Sequence, residues 1–194
     1  METELGFEET GLVVKEVATD AAFAARRLHA RDAVTQMAGM RRLARAFVED
    51  PNSILQELVV AAVELCGADS AAISLVREDG TEVEYYHWVA SAGVYEGFLN
   101  AMLPRYPSAC GICLERGRPQ LIQVLPRFFE ILGVEAPAVT DGILLPWRVD
   151  ELEGTIFIMA HGRAEAFDGE DLRMMEMLAD LRRWGFGSGS SGDC

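Results

Sequence analysis

The sequence predicts an α+β domain built on an antiparallel sheet, and three observations carry that prediction. Two pairs of apolar runs, 71–90 and 142–161, are each interrupted by a short polar turn, as strands of β-hairpins are. Helical periods of apolar residues stand at either end, over 54–66 and 168–184. Strand and helix patterns do not alternate one for one, which excludes a doubly wound parallel sheet.

Taken in order, residues 1–19 are acidic and hold one apolar patch, Leu12 to Val14, without a sustained period; they are expected to form a flexible arm. Over 20–49 the pattern turns helical. Phe23, Ala30, Ala33, Met37, Met40, Ala44 and Phe47 recur at helical spacing, a seam suited to packing on its own domain or on another helix. Asp50-Pro51 marks a new helix start, and Gly67 ends the apolar face of Ile54, Leu58, Val59, Ala62 and Cys66. The Asp79-Gly80 turn joins the first two strands. Residues 91–107 are expected to hold a short amphipathic helix, and 126–132 a second one. Pro146 is anomalous inside its strand and belongs at an edge or bulge. Asp168 opens the closing helix, with Asp171 at the third position and Phe167 placed to staple onto Leu172. The run 185–194 reads as a flexible Gly/Ser tail.

The length of 194 residues suits one domain with appendages. A net charge of -14 argues against nucleic-acid binding, which needs clustered cations. The charge is uneven: Arg26, Arg27, Arg31, Arg41, Arg42 and Arg45 make the 20–48 region basic, able to meet an acidic partner or the chain's own acidic last helix. The longest apolar run, Leu58 to Val63, is too short for a membrane span, and no signal pattern opens the chain, so a cytoplasmic protein is expected. Four cysteines do not make a disulfide framework.

The most informative stretch is Ser108 to Gln123, SACGICLERGRPQLIQ. Cys110 and Cys113 have redox-dithiol spacing, and a thiol at a helix start has its thiolate favoured by unpaired amides. The βαβ context of a thioredoxin-like motif is missing, however, and two cysteines cannot enclose zinc by themselves. The alternative is structural, with Cys110 on a pocket rim and Cys113 in the core. The amides around Ser108 and Gly111 suit a small anion, with Arg116 or Arg118 as partner. On the second strand Tyr86 and Trp88 are expected on one face. With Phe98, Met102, Phe128, Phe129 and Leu145 they are the candidates for lining an apolar cavity.

The runs DPNSILQELVVAAVELCGADSAAISLVREDG, SACGICLERGRPQLIQ and DGILLPWRVDELEGTIFIMAHGRAEAFDGEDLRMMEMLADL resemble GAF domains, especially those of bacterial sensor histidine kinases. The likeness spans Met40 to about Trp184, within a domain placed at 50–184. It implies a central antiparallel sheet with the N- and C-terminal helices packed on one face, often as a dimer interface. Loops and short helices would cover a pocket on the other face. GAF pockets host cyclic nucleotides, bilins, haem, small acids or nothing. The Cys-His pair that commonly attaches a bilin is missing, since Gly111 follows Cys110 and Leu114 follows Cys113. For haem only His87 and His161 offer an axial ligand on the strands, and lone histidines there are usually packing or surface residues. Similarity to free methionine-R-sulfoxide reductases reaches Cys110-Gly111, but Thr140 precedes Asp141 where that family carries its essential cysteine. The expectation is therefore a non-enzymatic, stand-alone sensory or regulatory protein that binds an unidentified small molecule. It would signal as a homodimer through its terminal helices, or through a partner such as a kinase or regulator. The alternatives are a ligand-free dimerisation module and a thiol sensor using Cys110 and Cys113.

Overall fold

The computed structural model describes residues 7–78, 84–149 and 152–181. It opens with a one-turn helix α1 (Phe7–Thr10), strand β1 (Leu12–Glu16) and a single turn α2 (Ala21–Ala24), followed by α3 (Ala33–Glu49) and α4 (Ile54–Cys66). The hairpin strands β2 (Ser70–Glu78) and β3 (Glu84–Gly93) come next, then a short edge strand β4 (Met102–Pro104). Helix α5 (Ala109–Arg116), strand β5 (Gln120–Val124) and helix α6 (Pro126–Leu132) lead into strands β6 (Val139–Val149) and β7 (Leu152–Ala160), and α7 (Gly169–Leu181) follows. All strands join one seven-stranded antiparallel sheet in the order β1-β5-β6-β7-β2-β3-β4.

Period-two alternation divides the sheet between two cores. Ala71, Ile73, Ile143, Leu145, Ile156 and Ile158 face helices α3, α4 and α7. Ala72, Leu144, Phe157 and Met159 face the other way, toward α5 and α6. Leu145, a pocket candidate from the sequence, therefore belongs to the helix-side core. Its neighbour Leu144 takes the pocket face, because adjacent strand residues point to opposite sides.

On β3 the alternation is broken at one place. The register passes from Ile73 opposite Ala90 to Ser74 opposite Trp88, leaving Val89 as the extra residue of a bulge. The bulge lets Tyr86 and Trp88 face the pocket side while Ala90 and Ala92 face the helices.

Several expectations need correction. Residues 12–16 are not part of a loose arm: β1 pairs with β5 from Leu12 opposite Val124 to Glu16 opposite Gln120, and Leu12 is buried. Three apolar residues suffice once a sheet edge supplies the hydrogen bonds. The helix expected over 20–49 is broken into α2 and α3, with Asp32 capping α3 by accepting from Val34 N and Thr35 N. In place of the amphipathic helix within 91–107 there are the end of β3, a 3-10 turn at Glu96–Phe98 and strand β4 on β3.

Other signals match the structure. Gly67 closes α4 with φ of 61°, a left-handed conformation that glycine adopts without strain. Pairing of β6 with β5 runs no further than Leu144 opposite Gln120, so Pro146 sits on a stretch of β6 with a hydrogen-bonded neighbour on one side only. The first hairpin turn, 79–83, and the tail at 185–194 lie outside the described residues.

Candidate functional site

A cavity of about 80 Å³ lies between the sheet and the segments that cover it. Its floor is Leu12, Ile122, Val124, Leu144, Phe157 and Met159 from β1, β5, β6 and β7, with Trp88 from β3. Its roof comes from Tyr95 and Phe98 after β3, Pro107 to Cys110 at the start of α5, and Phe128, Phe129 and Leu132 of α6. The candidates Trp88, Phe98, Ser108, Cys110, Phe128 and Phe129 thus meet around one space. Tyr86 is buried on the same sheet face without lining it, and Met102 is half-exposed on the edge strand. The strand residues of the floor were missed because they stand in continuous apolar runs, where no period says which residue faces which side.

Helix α5 begins at Ser108, whose Oγ accepts a hydrogen bond from Gly111 N at 3.3 Å. A side chain at Gly111 would meet Arg105 O at 2.9 Å, so glycine is what lets the preceding segment cross the helix start. Gly111 is thereby part of the roof's construction. Arg116 bonds Gln120 and Arg118 bonds Glu16, so these two arginines serve other partners and none of the lining residues is charged.

Both thiols of the Cys-Gly-Ile-Cys turn are buried. Thr155 donates to Cys110 Sγ at 3.2 Å, and Ser74 lies 2.8 Å from the Thr155 hydroxyl. Burial pushes the Cys110 thiol up despite these bonds; burial also pushes the Cys113 thiol up, and Cys110 beside it adds to this. Cys113 Sγ points to Leu144 O and Arg118 O. This is the opposite of the thiolate stabilisation that a helix start was expected to give: desolvation outweighs the local amides.

The polar groups near the cavity are mostly spent on the protein itself. The Tyr95 hydroxyl donates to Pro137 O, and the ring stacks on Phe98 at 5.0 Å and on His161 at 4.5 Å. His161 Nδ1 donates to Ala138 O at 2.8 Å, which leaves Nε2 as the acceptor for the Ser70 hydroxyl at 2.9 Å. Neither ring nitrogen is free for an axial metal bond. The other haem candidate, His87, is half-buried on β3 opposite Met102.

A second polar cluster lies on the helix side. Arg26 makes a two-pronged pair with Asp141, at 2.7 and 3.1 Å, and donates to Phe167 O at 2.8 Å. His29 meets Asp168 through its backbone N–H at 2.6 Å and through Nδ1 at 2.8 Å, and Arg31 pairs with Asp171 and stands 3.6 Å from Asp168. Among the described residues His29, Asp168 and Asp171 are the one trio whose ligand atoms would reach a shared metal ion. Arg31 already puts a cation against both carboxylates, so part of their charge is met within the chain. Asp168 also caps α7, accepting from Glu170 N and Asp171 N, while Asp171 accepts from Asp168 N.

A seven-stranded antiparallel sheet with terminal helices on one face and a roofed apolar cavity on the other is an α+β architecture with an enclosed apolar space. The GAF domain family profile matches residues 50–181, and the chain belongs to that family. Among solved structures it is similar to the GAF domain of an Acinetobacter phosphoenolpyruvate-protein phosphotransferase, with 13% identity, 81% of this chain and 98% of that chain covered, and a TM-score of 0.59. The corresponding domain from Coxiella burnetii shares 20% identity over 77% of this chain and 93% of that one, with a TM-score of 0.51. A phycoerythrobilin-bound GAF domain of a cyanobacterial phytochrome shares 16% identity over 82% and 95%, with a TM-score of 0.56. At such identities the likeness concerns the fold. No curated protein sequence matches the chain.

Proposed function

We propose that this chain is a sensory or regulatory GAF domain, of the type found in bacterial sensor histidine kinases. It binds a small molecule in the cavity and passes the bound state to a second copy or to a partner, such as a kinase or regulator, without catalysing a reaction. The observation that carries this reading is the cavity itself: it is walled on one side by the sheet and on the other by α5 and α6. Leu144 and Phe157 line it, while Leu145, Ile156 and Ile158 on the same strands hold the core beneath α3, α4 and α7. A ligand that favours one spacing of the roof over another shifts these strands and the helices behind them, by as much as its affinity differs between the two states.

Association through the terminal helices is supported by the outer face of α3. Val34, Met37 and Val48 are 76%, 66% and 83% exposed there and fall, with Ala44 and the one charged residue Arg41, on the alternating three- and four-residue spacing of a helix-pairing seam. Action in the cytoplasm accords with the finding that no helix among the described residues is long and apolar enough to cross a membrane.

Native mass spectrometry of the protein purified from its own host tests the reading, because it reports bound mass and subunit number together. A dimer carrying a non-covalent small mass is expected. A dimer that carries none and takes up no xenon under pressure overturns sensing in favour of a ligand-free dimerisation module.

A further inference from the structure

Among the described residues, the side chains that line the cavity turn no free hydrogen-bonding group and no charge toward it. The Ser108 hydroxyl accepts from Gly111 N and stands beside the Cys110 sulfur, the Tyr95 hydroxyl donates to Pro137 O, and Cys110 Sγ accepts from Thr155 at 3.2 Å. The Trp88 indole Nε1–H is enclosed by protein on every side and does not reach the cavity surface. The Gly111 amide, which the start of α5 would otherwise present to an anion, is taken by Ser108, and Arg116 and Arg118 are paired with Gln120 and Glu16. What faces the space is hydrocarbon and sulfur. Phe157 and Phe98 pack on Trp88 at 5.2 and 5.6 Å, alongside Leu12, Leu144 and the thioether of Met159.

We infer that the cavity selects a small apolar molecule, a short hydrocarbon or a comparable uncharged compound without hydrogen-bonding groups, and rejects anions and polar molecules of the same size. This rests on the sensory reading above and adds the chemical class of the ligand. Size follows from the volume: about 80 Å³ is roughly half of the ~150 Å³ apolar cavity that takes benzene, so a ligand of about three to five non-hydrogen atoms fits. Nucleotides and tetrapyrroles are too large for it. Class follows from the wall. A carboxylate or phosphate would leave its water shell for a space where no lining residue is cationic, and an unpaired buried charge is strongly disfavoured. A ketone or alcohol would lose its hydrogen bonds to water and find no replacement. A hydrocarbon gives up nothing on leaving water. It removes apolar area from solvent and supplies the dispersion contacts that an unfilled apolar space lacks.

The test uses three molecules of nearly one shape, added to the full chain labelled with ¹³C at its methionine methyl groups. They are isobutene, acetone, in which oxygen replaces the terminal methylene, and acetate, the charged counterpart. Met159 lines the cavity, and its methyl resonance, assigned by its loss in Met159→Leu, is expected to shift saturably with isobutene. Acetone should bind roughly fivefold to a hundredfold more weakly, the span expected for burying one carbonyl without a partner, and acetate should not bind at the same concentrations. Binding of acetone as tight as that of isobutene, binding of acetate, or uptake of xenon without isobutene overturns the assigned ligand class and leaves the cavity a binding site. Exclusion of all three and of xenon overturns this inference together with the sensory reading.

Discussion

Leu144 and Leu145 are adjacent, both buried and chemically identical, yet they belong to different halves of the molecule. Truncating either to alanine removes the same methyl groups from a packed environment, so each change is expected to lower stability by about 2–5 kcal/mol. Their effects on the site should differ. Leu144→Ala enlarges the space beside Trp88 and should raise xenon occupancy there in crystals under pressure, whereas Leu145→Ala should leave that site as it is. Equal occupancy beside Trp88 in the two variants would show that the face assignment is wrong. The same scale holds the Val89 bulge, one extra residue that turns Trp88 toward the cavity and Ala90 away from it.

At the scale of elements, the segment between α2 and α3 is held against β6 and the start of α7 by ion pairs of unequal worth. Asp141 and Arg26 are nearly enclosed, with side chains 4% and 13% exposed. Removing Arg26 leaves Asp141 buried with one backbone N–H, from Phe167, and Arg26→Ala is expected to cost about 3 kcal/mol in urea denaturation. Arg42, which bridges α3 to Glu57 and Glu64 of α4 at a half-exposed site, should matter far less: about 0.5 kcal/mol on loss of its charge.

The same cluster should make stability depend on pH. Burial pushes the Asp171 carboxyl up to about 6, and neighbouring Asp168 adds to this, against the opposing Asp168 N–H, Arg31 and His29. Its pKa is thus higher folded than unfolded. The folded state holds that proton more tightly, so the group's contribution is most favourable at low pH and is lost as pH rises through about 6. Asp168 has the opposite sign. Burial raises it, but the N–H groups of His29, Glu170 and Asp171, with Arg31, bring it net below its ordinary value. Its contribution is present above the unfolded pKa and is lost as pH falls below that. Wild-type stability should therefore decline from about pH 5 to about pH 7, and Asp171→Asn should flatten that limb in denaturation midpoints measured across the range. An unchanged slope in the variant would remove Asp171 as its source.

For the molecule as a whole, the seam of apolar residues read from the 20–49 sequence turns out to serve two directions. Leu43 is buried, and Met40 and Phe47 pack against the domain's own core; Met37 and Ala44 look outward with Val34 and Val48. Charge placed on the outer stripe is expected to break association without unfolding the monomer. Met37→Glu together with Val48→Glu should shift the sedimentation coefficient from that of a dimer to that of a monomer, with the far-ultraviolet circular dichroism unchanged. A variant that sediments as the parent does would place any interface elsewhere.

What the sequence by itself determined is local: the helix ends at Gly67 and Asp168, the strand pairs of the two hairpins, the α5 turn from Ser108 to Gly117, and the shared face of Tyr86 and Trp88. Each is set by a few neighbouring residues through capping, turn conformation or period-two alternation. The basic character of 20–48 and its attraction to the acidic last helix were also legible as charge, although which arginine meets which aspartate was not. Tertiary structure alone decided that Leu12 to Glu16 form a strand, since an isolated edge strand has no hydrogen-bond partners until β5 lies beside it. It likewise decided that the 20–49 helix breaks where Arg26, His29 and Arg31 are drawn to Asp141, Asp168 and Asp171. The cavity belongs to the same class: its walls come from segments far apart in the chain, and no short stretch of sequence records the distance left between them.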